Sequence, residues 1–247
     1  IPELKKRNYP EKLIVGTLAG PATLGLMIPP SIIMVVYGVM TNESIAAINL
    51  AGILPGFVLA GLFTAYVAVA ARFSPDYHPA AEPKTTWREK LAACWLLVPV
   101  HILLIIVLGS MFAGIATATE AAAMGVAGAL GLAWWQHSLT MANFIESLMG
   151  ATRTSAMIAF ILAASAALSL AMGFTGLPNE LAQWVGSMHL SATSLLLALL
   201  ALYLVLGCFL DGISCVALTI GIIEPLVRQA GIDMIWFGIF IVLVVEM

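Results

Sequence analysis

The sequence predicts an all-α polytopic membrane protein with broken spans, a re-entrant helical hairpin and an inverted internal repeat. Of its 247 residues, 62% are hydrophobic and 9% are charged, with a mean hydropathy of +1.05, whereas soluble domains carry about 25% charged residues. The apolar residues gather into stretches of roughly 20 or more, each long enough to cross a ~30 Å hydrocarbon core as a helix. Two of these stretches are interrupted in the middle, by Gly and Pro between Gly16 and Ser31 and by Asp211-Gly212-Ile213-Ser214. A globule in water is excluded. Membrane lipid is the expected surroundings, and nucleic acid is not an expected partner of a chain with net charge -3.

Taken in order, Leu13 to Val39 forms the first crossing. The polar turn Thr41-Asn42-Glu43-Ser44 separates it from a second, Ile45 to Ala71. Residues 72–90, with Pro75, Pro79 and Pro83, read as a loop; Leu91 to Ala116 and Ala121 to Trp135 then make a third and a fourth crossing. Gln136 to Thr154 is amphipathic, with Phe144, Ile145, Leu148 and Met149 at helical spacing, and is expected along the interface. Ser155 to Phe174 is a fifth crossing, followed by a second interfacial segment from Pro178 to Ser191.

Thr193 to Leu226 is apolar apart from Asp211 to Ser214. As one helix it would be about 50 Å long, too much for one crossing, yet it is short for two spans and a loop. A re-entrant hairpin with its tip at Asp211 to Ser214 satisfies both limits. The competing arrangement makes Thr193 to Leu210 an ordinary span and leaves the 12 residues Cys215 to Leu226 to cross alone. Irregular backbone at membrane depth survives only where protein buries it or it lines a cavity, so the tip is a candidate site.

Basic residues near span ends should be cytoplasmic. With the hairpin opening and closing on one side, nine of the ten Lys and Arg fall on one face, and Arg228 alone lies opposite. Asn42 and its turn are then external. Pro2-Glu3-Leu4-Lys5 also faces Pro225-Leu226-Val227-Arg228 at a shift of 223 residues (225 − 2), and the topology inverts the two copies. Inverted repeats with broken helices are characteristic of secondary transporters. The chain is accordingly divided into 1–71, the end of a first repeat; 72–90, a cytoplasmic loop; and 91–247, most of a second repeat with its hairpin at about 193–228. It starts at Ile1 without an initiator Met and stops inside an apolar run at Met247, so both ends are expected to lie within a longer protein.

Within Gly16 to Ser31, three Gly and three Pro interrupt one span. Each break frees carbonyls from the helical ladder, and these, with the Thr23 hydroxyl, are hard oxygen ligands suited to an alkali cation; a half-helix start favours an anion. The alternative is a packing kink. An ionisable side chain at membrane depth is costly and usually functional, which singles out Asp211, either as part of a sodium site or as a cap on the turn; Gly212 and Ser214 follow as backbone and hydroxyl ligands. Glu120, after Thr117 and Thr119, is read as a helix cap. Cys94, Cys208 and Cys215 lie in apolar stretches with neither CxxC spacing nor a His cluster, so no transition-metal site or disulfide framework is expected and all three should be buried. His101 is expected to bond to backbone, and Trp87, Trp134, Trp135 and Trp184 to anchor at headgroups.

The run Gly16-Thr17-Leu18-Ala19-Gly20 through Thr23-Leu24-Gly25 to Ile28-Pro29-Pro30-Ser31 resembles the signature of the large permease (M-type) subunit of tripartite ATP-independent periplasmic (TRAP) transporters. Gly114 to Ala123, Leu206 to Gly212 and Gly231 to Gly238 are similar to the same family in the same order. The resemblance implies a sodium-driven importer of organic acids such as C4-dicarboxylates, sialic acid or other sugar acids, in the bacterial inner membrane. It also implies a periplasmic binding protein and a small (Q-type) membrane subunit as partners, sodium as coupling ion with no cofactor, and an elevator motion. Gly20, Thr23, Gly25, Pro29, Pro30 and Ser31 of the first broken helix would share the substrate and sodium sites with Gly207, Asp211, Gly212 and Ser214 of the hairpin tip. Ala118 departs from the family, standing where many members have Pro. The family's first hairpin is expected before Ile1, and the rest of the second broken helix, which Glu246 would open, after Met247. An intramembrane enzyme is disfavoured because no Ser/His, paired-Asp or HExxH arrangement is present. A structural subunit has no need of inverted breaks. The remaining rival is a stand-alone sodium-coupled carboxylate or anion carrier that needs no binding protein.

Overall fold

The computed structural model describes residues 5, 11–73, 86–95, 97–188 and 191–245. Among them are eleven helices and no strand: α1 (Glu11–Met27), α2 (Ile32–Thr41), α3 (Ile45–Phe73), α4 (Trp87–Trp95), α5 (Val98–Phe112), α6 (Ala118–Trp135), α7 (Met141–Thr175), α8 (Leu177–Ser187), α9 (Ala192–Gly207), α10 (Gly212–Gln229) and α11 (Met234–Val245). Helices α3, α7 and α10 are each long and apolar enough to cross a membrane, and α1 with α2 makes a fourth candidate bent by 43°. Leu54, Phe57 and Phe160 are 73%, 67% and 77% exposed. Large apolar side chains standing outward at that level on long helices fit lipid and not water, and the chain is a multi-pass membrane protein.

Several boundaries differ from the sequence reading. Gly16, Gly20, Pro21 and Gly25 all lie inside the continuous helix α1, and the ladder gives way only at Ile28 to Ser31. A single Pro removes one donor, whereas Pro29 and Pro30 remove two in succession. The third predicted crossing is divided, because α5 restarts after Leu97 with a Pro in its first turn, the one helical position where a missing N–H costs nothing. Gln136 to Thr154 does not form a separate segment: residues from Met141 onward continue into the predicted fifth crossing as the single 35-residue helix α7. Its start is capped by Thr140, whose hydroxyl accepts from the Asn143 amide, and it runs uninterrupted to Gly176, whose φ of +72° closes it. Cys94 and Cys208 are exposed; only Cys215 is buried. The loop at 74–85 and Glu246 lie outside the described residues.

Helices α9 and α10 form an antiparallel pair. The Tyr203 and Thr219 hydroxyls meet at 2.7 Å across it, and the two residues are equidistant in sequence from Asp211. The second arm runs through Pro225 to Gln229, 18 residues in all, so shortness no longer rules out a crossing by α10; the cross-arm contact is what makes a hairpin of the pair. On its outer flank Ser165 of α7 donates to the Ala217 carbonyl of α10, and Ser169 lies against Gly221 one turn further. Small residues let the two backbones approach, the usual basis of helix packing in lipid.

The buried core gathers where α1, α2, α9, α10 and α11 meet. Met27, Met34, Tyr37, Tyr203, Val216 and Phe237 belong to one cluster, each with no exposed surface. Helix α11 runs counter to α2: the Tyr37 hydroxyl donates to the Met234 carbonyl at the start of α11 (2.6 Å), while Val245 at its end lies beside Gly212 and Ile33. Helices α2 and α10 run parallel, tied at one end by Ile33 against Gly212 and at the other by Arg228, which donates to Glu224 (2.9 Å), Glu43 (3.2 Å) and the Thr41 carbonyl (3.3 Å). Helix α5 packs chiefly on α6 and reaches the rest through α3.

Gly238 is where α11 passes the Tyr37 ring, and a Cβ there would sit 2.6 Å from Cε1 of that ring. The ring is fully buried and held by its hydroxyl, so it cannot move aside. Gly238→Ala is expected to destabilise by about 1–3 kcal/mol through overpacking. Gly61→Ala, at a helical glycine with nothing within 4 Å, should be neutral or stabilising. Thermal unfolding of the detergent-purified protein checks the contrast, and equal melting temperatures would refute the packing described.

Candidate functional site at the helix break and hairpin tip

The break between α1 and α2 follows from backbone chemistry. In a continuous helix the carbonyls of Gly25, Leu26 and Met27 would accept from the amides of residues 29, 30 and 31. Pro29 and Pro30 have none to give. The third amide, that of Ser31, donates instead to Oδ1 of Asn49 on α3 at 3.3 Å. Ser31 is itself buried and caps α2, its hydroxyl accepting from the Met34 amide at 3.3 Å. Its extended backbone (φ −109°, ψ 126°) is the usual conformation of a residue just ahead of a helix.

The hairpin tip is built by a similar device. After Gly207 the chain turns through Cys208 to Leu210, and the Leu206 carbonyl accepts from the amides of both Phe209 and Leu210 at 2.9 Å. Asp211 then caps α10. One carboxylate oxygen accepts from the Ser214 amide at 3.2 Å, and the other from the Ser214 hydroxyl at 2.5 Å. The carboxylate therefore holds the turn, and Ser214 is committed to it as donor.

These two irregular segments are in contact. A Cβ on Gly212 would lie 2.7 Å from the Ile33 side chain and 3.2 Å from Val245. One placed on Gly207 would lie 3.6 Å from the Val245 carbonyl oxygen. The end of α1, the starts of α2 and α10 and the end of α9 thus converge beside Val245 of α11. Of the residues singled out in the sequence, Pro29, Pro30, Ser31, Gly207, Asp211, Gly212 and Ser214 belong to this junction. Gly20, Thr23 and Gly25 sit further back along α1. Gly20 lies against Phe63 of α3, Gly25 has no neighbour within 4 Å, and Thr23 donates its hydroxyl to the Gly20 carbonyl at 2.7 Å. The Thr23 proton is used inside its own helix, leaving only the oxygen lone pairs available.

Two participants escaped the sequence reading. Asn49 is a lone amide in an otherwise apolar span, and that isolation was the available signal. Arg228 stood out only as the one basic residue assigned to the external side; its pairing with Glu43 in the turn at 41–44 joins two segments 185 residues apart. The other polar groups behave as expected. Thr117 and Glu120 form a reciprocal capping box at the start of α6, and His101 Nδ1 bonds to the Leu97 carbonyl at 2.8 Å.

A model of the tripartite ATP-independent periplasmic transporter DctM component matches residues 1–247. The chain belongs to this family. Its relatives include the C4-dicarboxylate TRAP transporter large permease DctM of Rhodobacter capsulatus, 30% identical over 100% of this chain and 59% of the relative. The sialic acid large permease SiaM of Vibrio cholerae is 30% identical over 98% of this chain and 56% of its own length. The 2,3-diketo-L-gulonate large permease YiaN of Escherichia coli K12 is 27% identical over 98% and 57%. The chain thus spans a little over half the length of these DctM-family permeases. The family is one of transporters and not of enzymes.

In this DctM-family chain Asp211 is expected to hold the tip by capping. Asp211→Ala should cost about 1 kcal/mol and speed amide exchange at residues 212–215, while Asp211→Asn, which keeps an acceptor oxygen, should restore protection. Exchange followed by mass spectrometry in detergent reads this directly; an unchanged rate in the Ala variant would remove the capping role.

Proposed function

We propose that the chain forms part of the permease of a sodium-coupled, binding-protein-dependent importer of organic acids in the bacterial inner membrane, working with a small membrane subunit and a periplasmic binding protein. The observation that carries the reading is the meeting of the α1–α2 break with the α9–α10 tip at Ile33 and Gly212. Helix starts carry roughly half a positive charge and helix ends roughly half a negative one. Two starts and the ends of α1 and α9 brought to one place suit an anion and a cation bound near each other. The carbonyls of Gly25, Leu26 and Met27, freed from the ladder, supply hard oxygens for sodium, and Thr23, further back on α1, and Asp211, at the hairpin tip, are the side-chain oxygens of this reading. Relatives named for C4-dicarboxylate, sialic acid and 2,3-diketo-L-gulonate support a carboxylate as the anion.

The packing supports an elevator motion. Helices α1, α2, α3, α9, α10 and α11 share one core, to which α3 contributes Ile48, while the α5–α6 pair touches that core chiefly through α3. In this reading the former body carries the substrate and the latter belongs to the frame. The opposed courses of α2 and α11 support the inverted repeat, and the antiparallel α9–α10 pair supports a hairpin that re-enters the membrane.

Uptake of radiolabelled C4-dicarboxylates, sialic acid and sugar acids into proteoliposomes tests the function, using the full-length permease with its small subunit and cognate binding protein. Uptake of at least one acid should require both an inward sodium gradient and the binding protein. Asp211→Asn and Thr23→Ala should each lower the response to sodium several-fold. Uptake indifferent to sodium would overturn the coupling, and uptake that persists without the binding protein would make the protein a stand-alone carrier.

A further inference from the structure

Four polar side chains are fully buried among the described residues, namely Ser31, Thr41, Asn49 and Ser165, and two of them meet at the break. Thr41 and Ser165 donate to backbone carbonyls, which helices accommodate readily. Asn49 differs. Its Nδ2 donates to the Ile45 carbonyl in its own helix at 2.8 Å, and this fixes the amide so that Oδ1 is offered outward as an acceptor. That oxygen takes the Ser31 amide, the first backbone donor after the two prolines.

The rest of this face of α3 is shaped for the same neighbour. Asn49, Gly52 and Gly56 follow at intervals of three and four residues, which places them on one stripe of the helix. A Cβ on Gly52 would meet the Met34 side chain at 2.5 Å, and one on Gly56 would lie 3.1 Å from the Ile28 side chain and 3.9 Å from its Cα. Side chains are therefore absent where the break passes, and the single polar group on the stripe faces its single available amide.

We infer that Asn49 is a positioning residue that fixes the α1–α2 break in its open form for a cation by anchoring the Ser31 amide on α3. This rests on the sodium-coupled reading above. Leu at position 49 has nearly the same shape and no acceptor, so the Ser31 amide would be left buried and unpaired, a costly state. The break would then shift to regain a partner for that amide, displacing the freed carbonyls from the cation. Asp at position 49, protonated in so apolar a setting, still accepts from Ser31 and donates to Ile45. Asn49→Asp is thus the conservative variant.

The test measures sodium-dependent thermal stabilisation of the detergent-purified full-length permease with its small subunit, titrated with sodium against choline, beside the sodium dependence of uptake. A ligand that binds only the folded state raises its stability with concentration. Asn49→Leu should raise the half-saturating sodium concentration in both assays by roughly 10-fold or more, the usual consequence of losing a residue that orients ion ligands; Asn49→Asp should stay within about 3-fold of the wild type on the same scale. A wild type indifferent to sodium would defeat the sodium-coupled reading itself. A sodium-responsive wild type with an unshifted Asn49→Leu would defeat the role of Asn49 alone, as would an Asn49→Asp variant shifted as far as Leu. Asn49→Ala carries the same arms if the Leu variant does not fold.

Discussion

Two adjacent prolines in the middle of an apolar helix leave carbonyls that no residue of that helix can satisfy, and the architecture of the buried core follows from how its neighbours respond. In water such carbonyls would simply be hydrated. In hydrocarbon an unpaired backbone group costs several kcal/mol, which favours covering the break with protein: Met27, Pro29 and Ser31 are buried, while Ile28 and Pro30 face outward. Helix α3 closes one side with the Asn49, Gly52 and Gly56 stripe, and the α9–α10 tip and the end of α11 close another through Gly212 and Val245.

Enclosure also accounts for the course of the helices around it. Helices α2 and α10 are held in register at both ends, by the Ile33–Gly212 contact and by the Arg228 cluster. The two fastenings differ in kind. Arg228 is half-exposed and its ion pairs with Glu43 and Glu224 contribute no more than about 1 kcal/mol, whereas at the opposite end the buried Ile33 packs against Gly212 beside the Asp211 cap. The hydroxyls of Tyr37 and Tyr203 add cross-links between them, one to the start of α11 and one across the hairpin.

What the sequence disclosed followed from how far each signal depended on neighbours. The α1–α2 break was legible because a missing N–H is a property of Pro29 and Pro30 themselves, and the tip because Asp211 sits alone in apolar surroundings. Which of the six Gly and Pro would break the helix was less legible: Pro21 is accommodated inside α1, and a glycine's effect depends on what packs against it, as Phe63 does at Gly20. The 35-residue extent of α7 was hidden by its change of character at Thr154, since amphipathic and uniformly apolar stretches form one helix when no residue between them stops the ladder. Asn49 was passed over because an isolated amide has no spacing to recognise; its meaning comes from Ser31, which lies 18 residues earlier and meets it only on folding.

The two helix starts at the junction differ in their caps, and the difference bears on which ion could sit where. Helix α10 is capped by the carboxylate of Asp211, whose charge offsets the positive end of that helix and would repel an incoming anion. Helix α2 is capped by the neutral hydroxyl of Ser31, so its positive end is not cancelled. On the proposed reading a carboxylate substrate would find its more favourable partner at the start of α2, and sodium would be favoured between Asp211 and the carbonyls released by the two prolines. The same residue pair would then serve both ions: the prolines that expose the carbonyls also force the helix to restart, and the restart creates the positive end.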